Sequence, residues 1–312
     1  MPSLLSFFIA AVFGHLTDAV HPLPPHRLFA IFNGHSTDFP GWLATMRAHP
    51  GAVNFASLYS YTIGAITANW TLPKGSDYRP FGYNFSQGVR SLGIFSAPVI
   101  QMGGSNAENN FHFASLWTRE FVNESVVFGY DGFVLDCQIS KSSSARTQGE
   151  FAAFLNAFAG GLHAVNKSLV LVTRFDFPKA YVSSSAVDAV MGYDYSENPL
   201  TIIGCKFRCT AQKSPPPKIG QPPSLLTLKP LNLTDVKEIG AKYPRTAGVL
   251  FEAYPSWVAG NNTYDEEVFA TADAAGTRTL GLWTNFGGVV GRWWEHMAAW
   301  VANQTAGEGG EE

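Results

Sequence analysis

Charged residues are scarce in this 312-residue chain, at 14% of the total. Lysine and arginine number 21 against 24 acids, a formal net charge of -3, so there is no basic surplus to follow a phosphate backbone. Nucleic acid is excluded as a partner on that ground. Cysteine is also rare, with three residues, so a hydrophobic core rather than a mesh of disulfides has to hold the fold. Metal-ligand patterns are missing. Pro22, Pro24 and Pro25 lie between His21 and His26, and the pair Cys205 and Cys209 has no second pair to complete a zinc site. No metal and no cofactor are expected. Beyond the N-terminus, no apolar run approaches the roughly 20 residues that cross a bilayer, so no membrane partner is expected. A Gly-rich phosphate loop after the first predicted strand is lacking, which argues against an open dinucleotide-binding sheet.

What the chain does have is apolar and aromatic content, 46% and 14% respectively. Both a large core and a ring-lined surface for uncharged, flat-faced ligands are consistent with that balance. Leu4 to Phe13 is an apolar run of signal-peptide length, with small residues near Gly14 and Ala19, so residues 1–19 read as a signal peptide. Seven Asn-X-Ser/Thr triplets follow, headed by Asn69, Asn84, Asn123, Asn166, Asn232, Asn261 and Asn303. Together these features predict a secreted glycoprotein. In that oxidising setting Cys205 and Cys209 are expected to form a local disulfide, whereas Cys137, inside an apolar strand, is expected to be a buried free thiol. Residues 305–312 are polar and acidic and are expected to form a disordered tail.

Between these ends, short β-branched and aromatic runs alternate with helical patterns. Strands are predicted at 27–33, 53–59, 97–102, 132–137, 168–174, 188–193, 247–253 and 279–284. Helices are clearest at 107–121, 147–165, 265–275 and 290–303; in the second, Phe151, Phe154, Leu155, Phe158 and Leu162 recur at helical spacing. Eight strands alternating with helices predict an α/β chain, most economically a single (β/α)8 TIM barrel over residues 20–304. Long loops are expected after strands 2 and 6. The first carries Trp70, Tyr78, Phe81, Tyr83 and Phe85; the second, from Ser196 to about Lys242, carries the two cysteines and a Pro-rich piece. Such loops rim the ligand-binding face of a barrel, although a rigid surface insertion is an equal reading.

The most informative stretch is Tyr130-Asp131-Gly132-Phe133-Val134-Leu135-Asp136-Cys137-Gln138. Strand alternation sends Val134, Asp136 and Gln138 one way and the apolar Phe133, Leu135 and Cys137 the other. Asp136 is thereby directed into the barrel and Gln138 to its rim. A carboxylate so placed is either satisfied by hydrogen bonds or used in chemistry.

Here the sequence resembles the family 18 glycoside hydrolases, the chitinases and their lectin-like relatives, which carry Asp-Gly-x-Asp-x-Asp-x-Glu on the fourth strand. Asp131, Gly132 and Asp136 match; Val134 stands where the family has Asp, and Gln138 where it has the catalytic Glu. Val99-Ile100-Gln101-Met102-Gly103-Gly104 is similar to the third-strand segment, with Gln101 replacing a Ser. Met191-Gly192-Tyr193-Asp194 is similar to the sixth-strand segment, and Leu280-Gly281-Leu282-Trp283 to the eighth. The resemblance implies substrate-assisted chemistry, in which the sugar's own N-acetyl group attacks the anomeric carbon. On that pattern Asp136 and Tyr193 orient the acetamido group, Asp194 supports them, and Trp283, with Tyr59, Gly103 and Gly104, contacts the sugar. Gln138 keeps the shape of the acid but has no proton to transfer.

Three expectations follow from these residues. A lectin-like barrel would bind N-acetylglucosamine oligosaccharides or a chitin-like polysaccharide with little or no hydrolysis. An active glycosidase would use a relocated acid, Glu252 at the end of the seventh strand or Asp176 after the fifth. A structural or storage barrel would hold no ligand.

Overall fold

The computed structural model describes residues 23–24, 27–33, 39–63, 79–102, 111–137, 144–174, 187–193, 247–252, 264–284 and 292–303. Within them the elements are β1 (Leu28–Asn33), α1 (Phe39–Ala48), β2 (Phe55–Ile63), α2 (Arg79–Arg90), β3 (Phe95–Ser96), β4 (Val99–Met102) and α3 (Ala114–Val127). There follow β5 (Gly132–Cys137), α4 (Ala145–His163), β6 (Ser168–Arg174), β7 (Ala189–Tyr193), β8 (Ala247–Glu252), α5 (Tyr264–Ala274), β9 (Thr279–Thr284) and α6 (Arg292–Ala302). Every strand pairing is parallel. The chain is therefore α/β with a parallel sheet, as its alternating pattern predicts. The pairing order runs β1-β9-β8-β7-β6-β5-β4-β2-β3, and β1 pairs with β2 as well.

The predicted third strand is two pieces because of one residue. Pro98 has no amide hydrogen, so it cannot donate to the ladder and separates β3 from β4. The chain nevertheless stays in line: the Ala97 amide donates to the Ala56 carbonyl at 3.2 Å, and the Val134 amide to the Pro98 carbonyl at 3.0 Å.

Alternating residues of the strands feed two sides of the sheet. On one side Leu28, Ala30, Phe32, Phe55, Phe95, Val99, Val134, Val170, Val172, Ala189 and Met191 form an apolar cluster drawn from seven strands. On the other, the intervening residues pack under helices. Phe29, Ile31, Leu280 and Leu282 meet Trp293, Trp294 and Trp300 of α6. Phe133, Leu135, Leu169 and Leu171 meet Phe121 of α3 and Phe151, Phe154 and Phe158 of α4. Strands buried on both faces explain the near-continuous hydrophobic runs in the sequence. The α4 face is the one its spacing predicts, and the helix starts at Ser144, whose hydroxyl accepts from the Thr147 amide at 3.1 Å.

Two helices correct the sequence reading. The stretch after the second strand is not a bare loop of displayed aromatics, because its second half is α2. Phe85 is 2% exposed and belongs to the core with Val89. Its spacing to Val89 is helical, but Gly82 and Gly88 mask the pattern. Residues 39–48 likewise form α1, where Pro40 and Gly41 hide the signal near the start. The third helix runs to Val127, further along than the predicted 107–121. The long connection expected after the sixth strand lies outside the described residues.

Two glycines permit close strand contact. A Cβ on Gly132 would overlap the Ser168 carbonyl oxygen on β6, and one on Gly248 the Thr279 carbonyl oxygen on β9. Gly132→Ala is expected to destabilise the chain by about 2 kcal/mol or more through that overlap. Gly149→Ala, on an exposed turn of α4 with nothing near the added carbon, is expected to be stabilising by about 0.5–1 kcal/mol. Urea unfolding of both variants checks the contrast.

Candidate functional site

The strand β5 carries polar residues at its two ends and only apolar ones between, so the motif read from the sequence divides into two places. At the lower, amino-terminal end, Asp131 is fully buried. Its Oδ2 accepts the Ser96 amide at 2.9 Å, and its Oδ1 lies 3.1 Å from Arg90 Nε as an ion pair. The Asp131 amide donates to the Ser96 carbonyl, while its own carbonyl accepts the Ser168 amide. One residue thus ties α2, β3, β5 and β6 together. Lys167, 7% exposed, lies close by: burial holds its ammonium below the ordinary lysine range, against the pull of Asp131 and with the push of Arg90. Asp131 and Gly132 are accordingly framework residues, although they stand in the motif beside the candidate chemistry.

Asp136 lies at the upper end, about 16 Å along the strand from Asp131. It is 7% exposed, and its Cα pairs with Gln101 on β4 and Val172 on β6. Val134 and Val172 belong to the inner apolar cluster, whereas Phe133, Leu135 and Cys137 belong to the helix side. The alternation derived from the sequence holds for all of these. Val134, at 0% exposure, puts a methyl-faced wall at the position just below Asp136. On β4, Gln101 is the one partly exposed residue of the strand. The carboxylate and this amide therefore share one row at the carboxyl ends of β4 and β5, above an apolar floor. Cys137 is a buried free thiol, as expected, pushed upward in pKa by burial and then by the Asp136 charge. It is unsuited to nucleophilic work.

Strand β2 carries a feature the sequence did not disclose. Its register against β4 slips between Tyr59 and Tyr61, with Tyr59 opposite Val99 and Tyr61 opposite Ile100. The extra residue is a bulge, and it sends Tyr61 and Ile63 to the helix side with Ile100 and Met102. The Tyr61 hydroxyl donates to Glu124 Oε2 at 3.0 Å and lies 3.3 Å from the Tyr130 hydroxyl. Burial above all, then Tyr130 and Glu124, push the Tyr61 phenol far above the ordinary tyrosine range. The slip also brings the Thr62 backbone level with Gln101, which is paired in turn with Asp136. A run of Tyr-Ser-Tyr-Thr gives no local sign of it.

The other expected site residues divide by what is described. Tyr193 ends β7 with its Cα opposite Arg174, Glu252 ends β8 opposite Trp283, and Trp283 is opposite Phe32 of β1. These three backbone positions lie at or near the carboxyl ends of their strands, the same end as Asp136, whereas Tyr59 is the middle residue of β2, opposite Val99 and so level with Val134. Gln138, Asp194, Gly103, Gly104, Asp176, Cys205 and Cys209 lie outside the described residues, as do the sequon residues Asn69, Asn232 and Asn261. Asn84, Asn123, Asn166 and Asn303 are described, and all four are exposed. Among the described residues no group of three or more His, Cys, Asp or Glu could hold a metal ion. None of the described helices is long and apolar enough to cross a membrane.

No family model matches the sequence, and no curated protein matches it. The architecture finds clear counterparts among solved structures. A chitinase from Chromobacterium violaceum superposes with a TM-score of 0.55 at 12% identity, over 88% of this chain and 99% of the other. A plant class V chitinase mutant from Cycas revoluta, in complex with (GlcNAc)3, gives 0.56 at 12% identity over 88% and 99%. The chain shares the fold of the family 18 chitinases. A xylanase and α-amylase inhibitor protein, in complex with trehalose, is also similar, with a TM-score of 0.50 at 15% identity over 88% and 96%. Identities this low carry the architecture and leave the chemistry to be argued from the residues.

The division of β5 gives a test. Asp131→Asn is expected to destabilise the fold by about 3 kcal/mol, since it leaves Arg90 buried without its counter-charge. Asp136→Asn, which keeps the side chain's volume at the strand end beside the partly exposed Gln101, is expected to cost less than Asp131→Asn. Thermal unfolding of the two variants side by side measures the difference.

Proposed function

We propose that this chain is a secreted, closed eight-stranded barrel that binds N-acetylglucosamine-containing glycans at its carboxyl-end mouth, with little or no hydrolysis. The observation that carries the reading is Asp136, near-buried in one row with Gln101 above an apolar floor, in a fold shared with chitinases. Closure is supported by β1, which pairs with β9 on one edge and β2 on the other. Secretion rests on the N-terminal apolar run and the sequons, four of which carry exposed asparagines.

Binding without turnover follows from what the upper strand end keeps and lacks. Asp136 accepts a hydrogen bond from the acetamido N–H and orients that group, with Tyr193 and Asp194 as its helpers and Trp283 stacking on the sugar face. At 138 an amide stands in place of a carboxylic acid. It can hydrogen-bond the glycosidic oxygen but cannot protonate it, and general-acid catalysis is worth about 10²–10⁴ in rate. Val134 removes a second carboxylate whose charge would tune Asp136. Glycan affinity does not need either proton. The similarity to an inhibitor protein that holds trehalose supports a barrel of this fold serving as a binder.

A second reading is an active glycosidase with Glu252 as acid, favoured by its backbone place at the end of β8 opposite Trp283.

Titration calorimetry with (GlcNAc)3 tests the first. Binding in the micromolar to millimolar range is expected, weakened at least about tenfold in Asp136→Asn, or roughly 1.4 kcal/mol. Heat no greater than dilution at millimolar ligand sinks it. Gln138→Glu is expected to confer hydrolysis of N-acetylglucosamine oligomers that the parent lacks. Turnover in the parent that disappears in Glu252→Gln and survives in Gln138→Ala establishes the second reading instead.

A further inference from the structure

Helix α3 ends in an apolar surface that faces solvent. Val126 and Val127 are each 48% exposed, and Tyr83 of α2 is 40% exposed. Phe128, the residue that caps α3, links them: its ring meets Tyr83 edge-on with centroids 6.0 Å apart. Gln87 Nε2 also donates to the Phe128 carbonyl at 3.4 Å, so α2 is held across the end of α3. Contiguous exposed apolar surface of this kind marks something that covers it.

The same surface carries its own candidate cover. Asn123 is exposed, and Val126 and Val127 follow it by three and four residues, so all three share one face of α3. Asn123-Glu124-Ser125 is a glycosylation triplet, and Asn84, next to Tyr83, heads another. We propose that an N-linked glycan on Asn123 lies back over the Tyr83, Val126, Val127 and Phe128 seam and shields it from solvent. Pyranose C–H faces and an acetamido methyl suit valine and aromatic surface, while the sugar hydroxyls stay in water. Tethering makes the contact intramolecular, so weak individual contacts suffice to hold it.

The chemistry fixes when the sugar is attached. The Asn123 amide nitrogen bonds the anomeric carbon of a lipid diphosphate oligosaccharide donor, the bond to the diphosphate breaks, and the amide loses one proton. In the folded chain Ser125 is fully buried, with its hydroxyl donating to the Val122 carbonyl at 2.7 Å. An enzyme reading the triplet cannot reach that hydroxyl, so attachment precedes the folding of α3.

The inference rests on the secretory part of the proposed function, and its test separates the two. The full-length chain is produced through a eukaryotic secretory pathway and its glycopeptides are weighed. Asn123 is expected to carry sugar. Asn123→Gln is expected to raise fluorescence of a bound apolar dye about twofold as the seam is uncovered, and adding Val126→Ser with Val127→Ser returns it to the parent level. Sugar on Asn84, Asn166 or Asn303 with Asn123 bare overturns the inference and leaves secretion standing; no sugar anywhere removes both. Dye binding unchanged in Asn123→Gln, or a glycosylated dimer abolished by the two valine substitutions, also overturns it.

Discussion

The two-residue period of β5 is the constraint on which the rest depends. Because the strand is buried on both faces, each side chain must suit one of two apolar clusters, and a shift by one position would exchange them. Phe133, Leu135 and Cys137 belong under the helices, and Val134 belongs inside. Asp136 is therefore committed to the same side as Val134 by the alternation of its neighbours. A polar residue in such a place is tolerated at the strand's end, where Gln101 beside it reaches partial exposure, and would be costly two residues lower.

The amino-terminal ends of β1 and β5 are locked by charge and rings, and the proposed function assigns recognition to the carboxyl ends. Arg90 and Asp131 make a buried ion pair at the start of β5. At the start of β1, Arg27 pairs with Asp273 at 3.0 Å, donates to the Trp300 carbonyl and lies over the Trp300 ring. The Trp300 indole in turn donates to Asp273 at 2.8 Å, which joins the two terminal helices to the first strand. Such a division, with stability at one end and ligands at the other, is the general one for (β/α)8 enzymes, and the proposed function would follow it. It also explains why one sequence motif can hold a framework aspartate and a candidate site aspartate only five residues apart.

Much of the architecture was legible in the chain because doubly buried strands announce themselves. The fifth, sixth and ninth strands span the segments predicted from the sequence, 132–137, 168–174 and 279–284, and α4 shows its apolar stripe openly. Helices α1 and α2 were not legible, since proline and glycine interrupt both near their starts, and Gly88 interrupts α2 again. Phe85 and its neighbours read equally well as rings for display, and only contact with Val89 and the strand beneath decides that Phe85 is core. The bulge at Tyr59 and Tyr61 was invisible for a related reason. A register slip is a property of two strands, and the hydroxyl contact that accompanies it, Tyr61 to Glu124 sixty-three residues away, is nonlocal.

By itself the sequence determined the α/β alternation, the sidedness of β5, the asparagine triplets and the amide at position 138. Each is a local property: periodicity, residue identity or spacing. The tertiary structure alone decided that Asp131 belongs to the framework while Asp136 stands in the inner row with Gln101. It also decided that Tyr61 turns outward and that α2 meets the end of α3 at Phe128. These depend on which strand lies next to which and in what register, and pairing of distant segments is set by packing, which no single stretch of chain contains.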